Sequence, residues 1–134
     1  MNKKQAFKYF DVNQKNERWS WSGISHDRKT CVLTLWVDQA PFDKHSRIYR
    51  HTNFNENNSD WRNLPGNKNR INDIDYCMKN LEGKFRVIFV TAVNSNEFGE
   101  TREIAHLKPM LDLWFEITKF DAETGEFESK SLPV

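Results

Sequence analysis

Apolar and polar residues change spacing several times along this chain, and each change predicts an element. "KFRVIFVTAV" (84–93) is apolar on both faces, the pattern of a strand covered on both sides. "MLDLWFEITKF" (110–120) alternates, so Leu111, Leu113, Phe115 and Ile117 share one face and Asp112, Trp114 and Glu116 the other. "DAETGE" (121–126) is turn chemistry, and "FESKSL" (127–132) reads as the returning strand of a hairpin. An earlier hairpin is predicted from the alternation over 18–25, the polar turn "HDRKT" and the β-branched and aromatic run "CVLTLWV" (31–37). Two segments carry helical spacing. Ala6, Phe7 and Phe10 predict a short helix over 3–10. Ile71, Ile74, Met78 and Leu81, with Cys77 alongside, form the stripe of a longer helix over 68–82. Pro65-Gly66 precedes it, Asn67 is placed to cap it, and Gly83 is placed to stop it.

Residues 39–66 fit neither period. They are polar, Asn-rich and basic, with one short strand predicted at "RIYRH" (47–51). A loop this long inside a compact chain is usually functional. The element order is helix, two strands, long loop, helix, three strands. It predicts an α+β fold in one domain spanning 1–134, with an N-terminal helix and linker over 1–17 and a barrel-like core over 18–132. A strongly curved sheet or open pseudo-barrel is expected, because many short strands need their edges protected.

The 134 residues suffice for a core without cross-links, and five Trp and ten Phe supply the buried area that a 37% hydrophobic content otherwise lacks. Net charge is only +1 but unevenly spread. Basic residues outnumber acidic ones over 1–19 and over 44–70, and the reverse holds over 110–134. A basic front and an acidic tail suit a polyanionic partner, although solvated surface charge gives the same pattern.

Little points to catalysis. Cys31 and Cys77 form no CxxC pair and are expected to be free thiols, one in an apolar strand and one beside a helical stripe. His26, His45, His51 and His106 match no metal spacing, so neither a metal nor a cofactor is expected. No phosphate-binding glycine loop and no nucleophile motif is present. No apolar run has the length of a signal peptide or membrane span, so a cytoplasmic location is expected.

The tryptophans say more. In "RWSWSG", Trp19 and Trp21 share a strand face. Trp19, beside Arg18 and Glu17, is assigned to the core. Trp21 is assigned to a pocket wall, because Gly23 leaves space beside it. Trp61 stands in a polar stretch with Arg62, where no core pattern asks for an aromatic. Indoles beside basic residues form the footprint of base-stacking proteins.

The pieces "RWSWSGI", "LTLWVDQ", "WRNLPGNKNR", "GKFRVIFVTAV" and "FDAETGEFESKSL" together resemble small bacterial modules of the PUA-like superfamily. That superfamily includes the SRA and EVE readers of modified bases, found alone or fused to HNH nucleases near restriction and phage-defence genes. The resemblance covers about residues 18–131 and is one of order and spacing; the SRA glycine-rich signature is absent. It implies a pseudo-barrel holding one base between aromatic rings, with a carboxylate or amide reading its edge and no chemistry of its own. Carried over by position, Trp21 and Trp36 would wall the pocket and Asp38 would read the base edge. Trp61, Asn67 and Arg70 would stand at the mouth, and Arg47, Arg50, Arg62 and Lys68 would meet phosphates. The implied partner is nucleic acid, DNA before RNA, with any nuclease on a separate chain. Two other readings compete: a protein-interaction domain of the immunity, inhibitor or toxin-neutralising type, and a small hydrolase built on scattered His and carboxylates.

Overall fold

The computed structural model describes residues 1–14, 20–54, 64–93 and 103–133. The chain folds as α1 (Lys3–Lys8), β1 (Ser22–Ile24), β2 (Cys31–Trp36), a 3-10 turn (Val37–Gln39), β3 (Phe42–Asp43), β4 (Ile48–Thr52), α2 (Pro65–Asn80), β5 (Lys84–Ala92), β6 (Ile104–Pro109), β7 (Phe115–Phe120) and β8 (Phe127–Ser131). The α+β class expected from the sequence is what the structure shows. Among the described residues, all eight strands belong to one sheet, with the order β1-β2-β5-β7-β8-β4-β3 and β6 joined to β5. Both expected hairpins are present, β1 with β2 and β7 with β8. The β2–β5 pair is parallel and every other pair is antiparallel.

One edge of β5 is shared. Its start pairs with β7 through Lys84 and Phe85, and its far half pairs with β6 from Ile88 to Ala92. The sheet therefore forks along β5, and it is not closed. It does curl. In a flat sheet β4, three intervals from β5, would lie about 14 Å away. Instead the Tyr49 and Phe89 ring centroids are 5.3 Å apart.

The curl wraps the main core. Leu33 and Leu35 of β2, Val87 and Phe89 of β5, Phe115 of β7 and Phe127 of β8 pack with Ile74 and Cys77 of α2. A smaller core on the other face of β2 and β5 joins Val32 and Ile88 to Ala6, Phe7 and Val12. The methyl groups of Val12 fill the space beside Gly23, so the gap expected there for a ligand is closed; a Cβ at Gly23 would collide with them.

Helix α2 begins three residues earlier than expected. Pro65 takes the first helical position, where its missing N–H costs nothing. Asn67 is therefore not the cap but a buried residue of the first turn, donating from Nδ2 to the Thr124 carbonyl at 2.9 Å. The buried face runs through Asn67, Arg70, Ile74 and Cys77, rotated from the Ile71–Met78 stripe; Met78 is exposed. The helix ends at Asn80, two residues before the expected 82, and Gly83 follows its cap: the Gly83 N–H reaches back to the Cys77 carbonyl at 3.0 Å while Glu82 and Gly83 both adopt left-handed φ. Two strands were not foreseen, the short β3 and all of β6. Strand β7 starts at Phe115, leaving Leu111 and Trp114 exposed ahead of it.

Both cysteines are free and buried. The neighbouring Cys77 thiol first, and burial second, raise the Cys31 thiol well above its ordinary range. No helix among the described residues is long and apolar enough to cross a membrane. None of their His, Cys, Asp and Glu side chains gather in threes to hold a metal ion.

Candidate functional site

Most of the aromatic and polar residues expected in a base pocket lie in the core. Trp21 precedes β1 and is pinned by its carbonyl, which accepts from the Thr34 N–H at 3.0 Å and the Thr34 hydroxyl at 3.1 Å. Its ring is 7% exposed. The Arg70 guanidinium lies 4.9 Å from the Trp21 ring centre and 5.2 Å from that of Phe127, stacked against both rings. Arg70, expected at a pocket mouth, is only 1% exposed. A guanidinium is flat, weakly hydrated and attracted to ring faces, so it can replace a base as the stacking partner of an indole.

The same layer holds His51, whose ring packs 4.6 Å from Phe127 and whose Nδ1 lies 3.2 Å from the Ser129 hydroxyl. Burial first, and the Arg70 charge second, lower His51 from 6.5 to about 3. It is a neutral structural imidazole at neutral pH. Asn67 packs behind the layer against Gly125, whose missing side chain leaves room for the amide. Trp36 is buried at the end of β2, opposite Val90. Trp19, assigned to the core, and Trp61 and Arg62 lie outside the described residues.

The remaining expected residues are exposed. Asp38 lies on the 3-10 turn, Lys68 on α2, and Arg47 and Arg50 on the β3–β4 hairpin. That hairpin is well organised. Asp43 accepts from the His45 N–H at 3.0 Å, the Ser46 hydroxyl at 2.6 Å and Arg50 Nε at 3.2 Å. The Ser46 bond first, and Arg50 next, lower its carboxyl to about 2. The turn is thus held in shape while presenting Lys44, His45 and Arg47 to solvent.

Beside this hairpin lies a cleft of about 380 Å³, placed where the curled sheet fails to close. Phe42 and Tyr49 of β3 and β4 form one side, and Phe89 of β5 with His106 and Lys108 of β6 the other; Met110 follows β6. The register explains the β6 contribution, since Lys108 stands opposite Phe89 and His106 opposite Thr91. The rings touch in sequence. Phe42 meets Tyr49 edge-on at 5.1 Å, and Tyr49 meets Phe89 at 5.3 Å. Phe42 is 49% exposed, which leaves part of its ring available to a ligand. Val37, which opens the Asp38-bearing turn, and Ala40, just after it, complete the rim.

The structure thus divides the expected set. Trp21, Asn67 and Arg70 join a packed layer, whereas Asp38, Arg47 and Arg50 stand on the segments that border the open cleft. The aromatic walls of that cleft were missed. A signal existed: Phe42 and Tyr49, like Trp61, are aromatics in the polar stretch 39–66, where no core pattern requires them.

No family model, no curated protein and no solved structure matches this chain.

Proposed function

We propose that this protein is a nucleic-acid-binding module that holds one base in the cleft between β3–β4 and β5–β6. One observation carries the reading: a concave, aromatic-walled cleft lies beside an ordered hairpin that presents Lys44, Arg47 and Arg50. Its volume falls in the range of small-ligand sites, roughly 300–1,000 Å³. Ring edges and faces at Phe42 and Tyr49 offer stacking that tolerates any base, and Lys108 with the hairpin cations offers contacts to phosphate. The resemblance to PUA-like readers narrows the proposal to a modified base, in DNA before RNA, in a restriction or defence setting. The module supplies recognition, and any cleavage belongs to a separate nuclease chain.

The test is titration of fluorescent single- and double-stranded oligonucleotides, with and without modified cytosines, at low and moderate salt. Binding that weakens as salt rises and favours a modified base is expected. No binding at low salt overturns the proposal.

A second reading, a protein-interaction domain, is favoured by a different surface. Trp114 is 40% exposed and stacks 4.6 Å from the Arg86 guanidinium, beside a cleft formed with Leu132 and Pro133. Exposed Trp and Arg are the residue types that anchor protein partners. Co-purification of a partner through high-salt washes, lost in Trp114→Ala, is the result expected of that reading.

A further inference from the structure

On the far side of the main core, a separate cleft of about 330 Å³ opens between β1 and α2. Its lining differs from that of the aromatic cleft. Asn69, Asn72, Asp73 and Tyr76 fall at helical spacing, so α2 presents one polar face to it. Ser22 and Arg28 face that helix, with Asn13 at the edge.

Two of these polar residues are buried, Ser22 at 1% and Asn69 at 7% exposure. The Ser22 hydroxyl donates to Asp73 Oδ2 at 2.6 Å, and Asn69 Nδ2 reaches the Ser22 oxygen at 3.4 Å. The Tyr76 hydroxyl donates to the Arg28 carbonyl at 2.7 Å, and the Arg28 guanidinium lies 4.2 Å from the Tyr76 ring centre. These bonds fix the cleft floor and one wall. They leave the Asn13 and Asn72 amides and the Arg28 guanidinium N–H groups directed to no hydrogen-bond partner among the described residues.

The chemistry selects a ligand class. One carboxylate and one guanidinium cancel, so neither an anion nor a cation is favoured. Three carboxamides offer donors and acceptors side by side, the arrangement that matches adjacent hydroxyl groups. Apolar lining is limited to Ile24 and the Tyr76 ring, enough for the C–H face of a small ring. We propose that this cleft binds a neutral polyhydroxylated ligand, a sugar ring presenting vicinal hydroxyls to Asn69, Asn72 and Asp73. The site is independent of the base-binding cleft and stands or falls separately from it.

The side-chain amide signals of Asn13, Asn69 and Asn72 report on the cleft directly in ¹⁵N–¹H spectra of the full chain. D-glucose, D-ribose, inorganic phosphate and glycine would each be titrated to high millimolar concentration. A saturable shift of the Asn69 and Asn72 amides with either sugar is expected. Asn72 is exposed, so Asn72→Ala should leave the melting temperature unchanged and weaken the sugar response at least about tenfold. Shifts that rise linearly with both sugars overturn the proposal. So does saturation by phosphate or glycine in place of the sugars, or an Asn72→Ala response equal to that of the wild type.

Discussion

Two regions of this molecule combine aromatic rings with cations, and they use them in opposite ways. In the layer under α2, Trp21, Phe127 and His51 surround Arg70 with almost no solvent contact. In the cleft, Phe42, Tyr49 and Phe89 meet His106 and Lys108 at an opening of the sheet. The residue types are alike; enclosure separates them. A cation stacked on an indole and sealed by a helix contributes to the fold, because desolvation strengthens the contact and its loss leaves a void. The same groups around an opening remain available to a flat, anionic ligand. Aromatic and basic composition therefore identifies a stacking site without saying whether the protein or a ligand fills it.

The contrast is sharpest in stability. Arg70→Ala and Trp21→Ala each remove a large buried side chain and should cost about 3–5 kcal/mol. Denaturant unfolding followed by circular dichroism measures this. A loss under 1 kcal/mol for either would mean that the layer is not packed as described.

Acid should attack the layer through His51. With His51 near 3 when folded and 6.5 when unfolded, the unfolded chain binds the proton first as pH falls. The stability contribution is fully present above pH 6.5 and is lost progressively toward pH 3, in total on the order of 5 kcal/mol. His51→Gln should flatten this part of the stability–pH curve. An unchanged slope between pH 6.5 and 4 in that variant would remove His51 from the account.

Changes at the cleft should move binding and leave folding alone. Phe42→Ala, at an exposed position on a two-residue strand, should weaken oligonucleotide binding by about 1–3 kcal/mol, the value of a stacked base. Its melting temperature should stay close to that of the wild type. Arg47→Ala and Lys108→Ala should act least, each reducing the slope of log K against log salt by about one.

The fold was legible where periodicity is strong. The limits of β5 were read almost to the residue, and both hairpins and both helices were placed, because their patterns extend over whole elements. Strand β6 escaped because His106 and Lys108 interrupt its apolar residues, none of its residues is fully buried, and it pairs with β5 alone among the described residues. The stripe of α2 was read one position out of phase because two of its buried residues are Asn67 and Arg70. A polarity pattern cannot anticipate an arginine whose guanidinium is held between rings. The cleft was the least legible part. Phe42, Tyr49, Phe89, His106 and Met110 are brought together only by the curl of the sheet, and no local spacing records that curl.

Photo-crosslinking distinguishes the two regions most directly. An oligonucleotide carrying 5-bromouracil, bound at low salt, irradiated and mapped by peptide mass spectrometry, marks the residues against which the base lies. The account predicts adducts on Phe42, Tyr49 or His106, lost in Phe42→Ala, and none on Trp21 or Trp36. Adducts on Trp21 or Trp36, or none on the cleft residues, would contradict it.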